Sequence, residues 1–250
     1  MSDSSTIVIW VSLTFFVAGL IKGVVGMGLP TVAMGVLSLF MTPVSAAAML
    51  VVPSLVTNIW QLLAGPAFGT LLRRLATMMI AVFAGAVIGI GVLTGQSASL
   101  AGAALGAVLA LYGAVSLAAP RFTVPANVEA WLSPLIGLVT GLVTGATGVF
   151  VIPAVPYLSS LGLEKEDLIQ ALGISFTVST VALACALGLS GQFQITTASN
   201  SLLAVVPAVV GMSVGQRVRT KLQPAVFRRW FLIGLVVLGV YMIARVLGTG

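Results

Sequence analysis

The stretch GLIKGVVGMGLPTVAMG at 19–35 returns in altered form as GLVTGATGVFVIPAVPY at 141–157. Gly19, Leu20, Gly23 and Gly26 match Gly141, Leu142, Gly145 and Gly148, and Pro30 matches Pro153 after a slip of one residue. Each copy runs an apolar segment into clustered glycines and then a proline. Glycine lets a backbone unwind, and proline starts a helix without wasting a donor. Both copies therefore predict a helix that breaks and restarts. Later in each half, Gly85 and Gly89 in GAVIG match Gly211 and Gly215 in GMSVG. For these four, small-xxx-small spacing predicts close helix packing.

The chain around these breaks is made for lipid. Of 250 residues, 59% are hydrophobic and 6% are charged, where a soluble domain carries about a quarter charged. Sixteen charges could not cover a water-soluble globule. In lipid, backbone polar groups must be satisfied by helices or a closed barrel. A barrel alternates apolar and polar residues, whereas runs such as LATMMIAVFAGAVIGIGVL at 75–93 are continuous. The expected fold is an all-α integral membrane protein.

Ten helical segments are expected. Eight are long enough to cross, at about 20 residues per crossing: 6–25, 44–64, 75–94, 97–119, 128–147, 167–190, 197–217 and 228–247. Two, 29–41 and 149–161, are short and follow the breaks. Residues 1–119 thus read as a first transmembrane repeat, 120–127 (PRFTVPAN) as a linker, and 128–250 as a second repeat, in one membrane domain. Each repeat holds about five segments, in the order long, short, long, long, long. The start MSDSST has no basic region and does not read as a cleaved signal peptide.

Charge asymmetry sets the expected relation of the halves. Arg73 and Arg74, then Arg121, then Arg217, Arg219, Lys221, Arg228 and Arg229 fall in three loops. If every segment crosses, all three loops share one side, cytoplasmic by the positive-inside rule. Five crossings per half then make the repeats inverted, with both termini periplasmic. Corresponding loops have opposite character: the Arg73 loop matches uncharged GQFQ at 191–194, and the 217–229 loop matches uncharged GQSAS. Arg245 alone falls on the wrong side.

Inverted repeats with interrupted helices are a transporter plan, with substrate held where the helices break. At the first break the candidates are Lys22, Gly23, Gly26, Gly28 and Pro30. At the second they are Thr144, Gly145, Thr147, Gly148 and Pro153. Lys22 reads equally as a fixed positive charge for an anion and as a side chain snorkelling to the interface. The helix after each break adds polar residues: Ser54, Thr57, Asn58 and Gln61, spaced to share one face, and Ser175, Thr177, Ser179 and Thr180. A lipid-facing amide is expensive, so Asn58 and Gln61 are expected to face inward. They would line a path or join helices.

Several classes are excluded. No histidine and one cysteine, Cys185, leave no ligand set for zinc, haem or an iron–sulfur cluster. No Ser–His pair can form, and Asp3, Glu129, Glu164, Glu166 and Asp167 all fall near segment ends, so no enzyme and no cofactor is expected. The net charge of +6 lies in short loops, which argues against nucleic acid.

At these residues the chain resembles the sulfite exporter TauE/SafE family over nearly its whole length. The doubled motif GLIKGVVGMGLP and GLVTGATGVFVIP carries the resemblance, with ALGISFTVST at 171–180 and the motifs GAVIG and GMSVG. Many members read GFGGG where this chain has GMGLP. The resemblance implies a permease of the bacterial inner membrane that exports small sulfur-containing anions, sulfite or organosulfonates such as sulfoacetate. Its partners would be that anion and membrane lipid; a homo-oligomer and a coupling proton stay open. Uptake, a channel for another small anion, and a non-transporting interaction protein are the alternatives.

Overall fold

A computed structural model describes residues 2–95, 98–118, 123–192, 195–219, 221 and 223–248. Among the described residues it is all helix: α1 Ser2–Val25, α2 Leu29–Leu37, α3 Pro43–Leu62, α4 Phe68–Arg74, α5 Ala76–Thr94, α6 Ala98–Ala118, α7 Ala126–Thr147, α8 Ala154–Ser160, α9 Lys165–Leu189, α10 Ile195–Val218 and α11 Pro224–Gly248. Eight of these are long and apolar enough to cross a membrane, while α2, α4 and α8 are short. The chain is a multi-pass helical membrane protein. Arg121 lies outside the described residues, as do Gln96 and Ser97 of GQSAS and Phe193 and Gln194 of GQFQ.

The short helices fall inside their expected bounds: α2 ends at Leu37 instead of 41, and α8 is Ala154–Ser160 instead of 149–161 because the unwound stretch after Gly148 runs on to Pro153. Several long helices instead overrun theirs, as α1 does by starting at Ser2 instead of 6. Hydropathy marks the apolar stretch of a helix, and a helix can continue past it into polar surroundings. Arg73 and Arg74 end the extra helix α4, and α11 starts at Pro224 instead of 228, which sets Arg228 and Arg229 a turn inside the helix. Arg74 is fixed there by a two-pronged bond to Glu129 of α7, from Nε to Oε1 at 2.6 Å and from Nη2 to Oε2 at 2.8 Å. That hydrogen-bonded carboxylate holds the guanidinium above its ordinary pKa.

Glycine seams pair the long helices. A Cβ at Gly19 or Gly23 would overlap the carbonyl oxygens of Ala208 and Met212, and one at Gly211 or Gly215 those of Phe16 and Leu20. Residue numbers rise together along this seam, so α1 and α10 run parallel. The same contact joins α5 to α7: Gly85 and Gly89 abut the carbonyls of Leu138 and Leu142, and Gly141 and Gly145 those of Val82 and Ala86. Those two helices are parallel as well. Gly106 meets Gly239 while Gly113 meets Leu232, so α6 and α11 are antiparallel. Gly173 abuts Leu62 and Thr180 bonds Asn58, so α3 and α9 are antiparallel too.

These registers sort the ends of the molecule. Gln61 of α3 reaches both Gly26 after α1 and Ile169 near the start of α9. That end also collects Arg73, Arg74, Lys165, Arg217, Arg219, Lys221, Arg228 and Arg229. At the opposite end Arg245, in the last turn of α11, donates to the Leu39 carbonyl just after α2.

The seams make an expectation for stability. Gly141→Ala must push α5 and α7 apart at a carbonyl that cannot yield, at a cost of about 1–3 kcal/mol. Gly91→Ala, with open space around its Cα, avoids that penalty. Thermal unfolding in detergent should show a clear loss for the first and none for the second. Equal melting temperatures would contradict the seam.

Candidate functional site

The first break is built by α1 ending at Val25, with Gly26 and Gly28 at φ 84° and 112°, a region closed to most side chains. Pro30 sits in the first turn of α2, where its missing N–H is harmless. The second break repeats the plan: Gly148 caps α7 at φ 72°, and Pro153 immediately precedes α8.

Unwinding strands backbone carbonyls, and a partner helix supplies donors. The Gln61 amide nitrogen bonds the Gly26 carbonyl at 3.0 Å and the Ile169 carbonyl at 3.1 Å. Gln170 does the same for the turn after α3. Its amide nitrogen donates to the carbonyls of Leu62 and Gly65, and its oxygen accepts from the Ala67 N–H at 2.8 Å. These two glutamines tie the ends of α1, α3 and α9 together.

Lys22 stands in the last turn of α1, where the helix dipole favours a cation. It is 3% exposed, so it faces inward and does not snorkel. Its ammonium donates to the Asn58 amide oxygen and to the Thr57 hydroxyl at 3.2 Å. Asn58 in turn donates to Thr180 of α9 at 3.0 Å, and Thr180 donates to the Phe176 carbonyl. No carboxylate pairs with Lys22 among the described residues; the ion pair present is Arg74–Glu129. A buried charge held by neutral dipoles alone is under-compensated.

A cavity of about 250 Å³ leads to this ammonium from the basic end. Lys22, Gly26, Trp60, Gln61, Gln216 and Arg219 are among its walls. The space suits a small ligand, and both charged groups on it are cations. The second break lies across α2 from the first. Gly148 packs against Met34, and Phe150 contacts Phe176 with ring centroids 5.4 Å apart.

The candidate residues thus divide. Lys22, Gly26, Thr57, Asn58 and Gln61 form one connected network. Gly23 lines the cavity but gives its Cα face to α10, and Gly145 gives its own to α5. Gly28 packs on Phe231 of α11. Thr144, Thr147 and Thr177 bond carbonyls of their own helices. Ser54, Ser175 and Ser179 are fully buried, and their hydroxyls have no partner. Composition could not single out Gln170, Gln216 or Arg219. Gln170 shows its role only through its bonds to the turn after α3, and the other two join the site only because α10 packs beside α1. Thr31 and Thr140, also buried without a partner for their hydroxyls, had no sequence signal beyond their type.

Gln61→Leu should fill the same space while leaving the Gly26 carbonyl without a donor, whereas Ile169 keeps its bond within α9. The expected loss is about 1–3 kcal/mol, read as a lower melting temperature in detergent. A variant as stable as the parent would show that these bonds do not hold the break.

No curated protein and no solved structure matches the chain significantly. One family model does match, that of the sulfite exporter TauE/SafE, over residues 11–242. This is nearly the whole sequence, and the match includes both breaks and both glycine seams. The chain belongs to the sulfite exporter TauE/SafE family, membrane transporters of sulfur-containing anions.

Proposed function

We propose that this chain is a secondary transporter that exports sulfite or a small organosulfonate across the bacterial inner membrane, binding it at Lys22. One observation carries the proposal: a buried ammonium, bonded among the described residues to Asn58 and Thr57 and to no carboxylate, at a cavity with no acidic wall. An oxyanion would supply the missing counter-charge and accept the donors. Charge-assisted bonds of this kind are worth about 1.5–3 kcal/mol each. Arg219 on the same cavity would draw anions in.

The helix directions support an inverted repeat. All four pairings join one half to the other, and exchanging the halves maps the set onto itself: α1 with α10 answers α7 with α5, while α3 with α9 and α6 with α11 answer themselves. Five alternating passes per half are consistent with the directions of these four pairs. The positive-inside rule makes the basic end cytoplasmic, so both termini are periplasmic. The Lys22 cavity then opens to the cytoplasm, where an exported anion would be collected. Under an inside-negative potential each exported charge gains about 2.3 kcal/mol per 100 mV, so export of an anion needs no coupling ion. The two breaks, at opposite ends of α2, would serve the substrate in turn.

Lys22→Met keeps the volume and removes the charge. In proteoliposomes loaded with sulfite or sulfoacetate, it should lower efflux about tenfold to a hundredfold, the loss of one to two charge-assisted bonds, with the fold intact. Lys22→Arg should retain part of the flux. Unchanged efflux in Lys22→Met would remove Lys22 from the site. Failure of the parent protein to move sulfite, sulfoacetate or sulfate would overturn the substrate class.

A further inference from the structure

The ends of α6 and α11 form a second cleft, of about 450 Å³, which shares no wall with the Lys22 cavity. Its walls include Ser116 and Leu117 of α6 and Arg228, Arg229, Leu232 and Ile233 of α11. We infer that this cleft binds the phosphate headgroup of an anionic phospholipid in the leaflet at the basic end.

The layering of the side chains argues for a lipid. Leu232 and Ile233 each stand four residues after an arginine, so each lies one turn deeper along the same face. A ligand entering here meets two guanidinium groups and the Ser116 hydroxyl at one level, and aliphatic side chains below. That order, cation above hydrocarbon, is the complement of a phosphate above acyl chains. Arginine is well suited to the task because its planar fork can bind two phosphate oxygens at once.

The depth agrees. Trp230, between Arg229 and the apolar stretch of α11, is 69% exposed. Exposed tryptophan on a spanning helix marks the headgroup level. The cleft also ends blindly. One turn deeper on α6, Gly113 abuts the Leu232 carbonyl and the Val236 side chain, so the helices close on each other there. An anion in this notch has no route into the protein. It can be shared only with the surrounding leaflet, as expected for a basic pocket between spanning helices. Neither arginine has a carboxylate partner among the described residues.

Native mass spectrometry of the purified full chain, titrated with phosphatidylglycerol and separately with phosphatidylcholine, tests the assignment. The parent protein should retain phosphatidylglycerol selectively. Each arginine facing an anionic headgroup contributes roughly a factor of five in affinity, so R228Q/R229Q should weaken binding about thirtyfold. Each single variant should weaken it about fivefold, which covers the case of a double variant that does not fold. Arg73→Gln, at the same end but outside the cleft, should leave binding unchanged. Three results would overturn the inference: equal retention of phosphatidylcholine, an equal loss in Arg73→Gln, or displacement of the lipid by millimolar inorganic phosphate, which would mark a site for a free anion.

Discussion

A helix interrupted in a membrane protein leaves carbonyls without their intrahelical donors, and this protein answers that demand with side chains from a different helix. Gln61 donates to the Gly26 carbonyl and at the same time grips Ile169 of α9. Without it the Gly26 carbonyl would lack a donor, because Pro30 has no N–H to give it. With it, the end of α1 becomes a fixed wall against which Lys22 can be placed. The glycine seams perform the complementary task. They bring α10 to α1 and α5 to α7 so closely that carbonyls occupy the space of missing Cβ atoms, which fixes the broken helices by van der Waals contact.

From that scaffold the chemistry follows. The ammonium of Lys22 is buried at its cavity and close to Thr57 and Asn58, whose dipoles soften its burial without neutralising it. A family of sulfur-anion transporters fits this arrangement well, since the missing component is an anion with several acceptor oxygens. Asn58 also bonds Thr180 across the α3–α9 crossing. A ligand competing for Lys22 therefore acts directly on the contact between the two halves. Ser54, Ser175 and Ser179, buried with hydroxyls lacking a partner, lie on these same two helices.

Much of this was legible in the sequence. The absence of charge demanded lipid, and the doubled glycine–proline motif located both breaks to within a few residues. The spacing of Asn58 and Gln61 foretold inward-facing amides. What the sequence could not disclose was partnership. Gly23 and Gly145 read as flexible break residues, yet they face neighbouring helices, because a glycine that unwinds and a glycine that packs have identical composition. Lys22 stood equally between snorkelling and burial until α3 supplied its acceptors. Gln170 and Arg219 gained their places only from tertiary contact. The start of α11 was misjudged because hydropathy reports the bilayer core and not the end of a hydrogen-bonded helix.

The central claim is that an anion sits on Lys22 at the first break. Selenite, an analogue of sulfite with a strong anomalous signal, would locate it directly in crystals of the full chain. The account predicts an anomalous peak within hydrogen-bonding distance of the Lys22 ammonium, beside Asn58 and Gly26, that disappears in Lys22→Met. A peak elsewhere in the protein, or one at the break that persists in Lys22→Met, would contradict it.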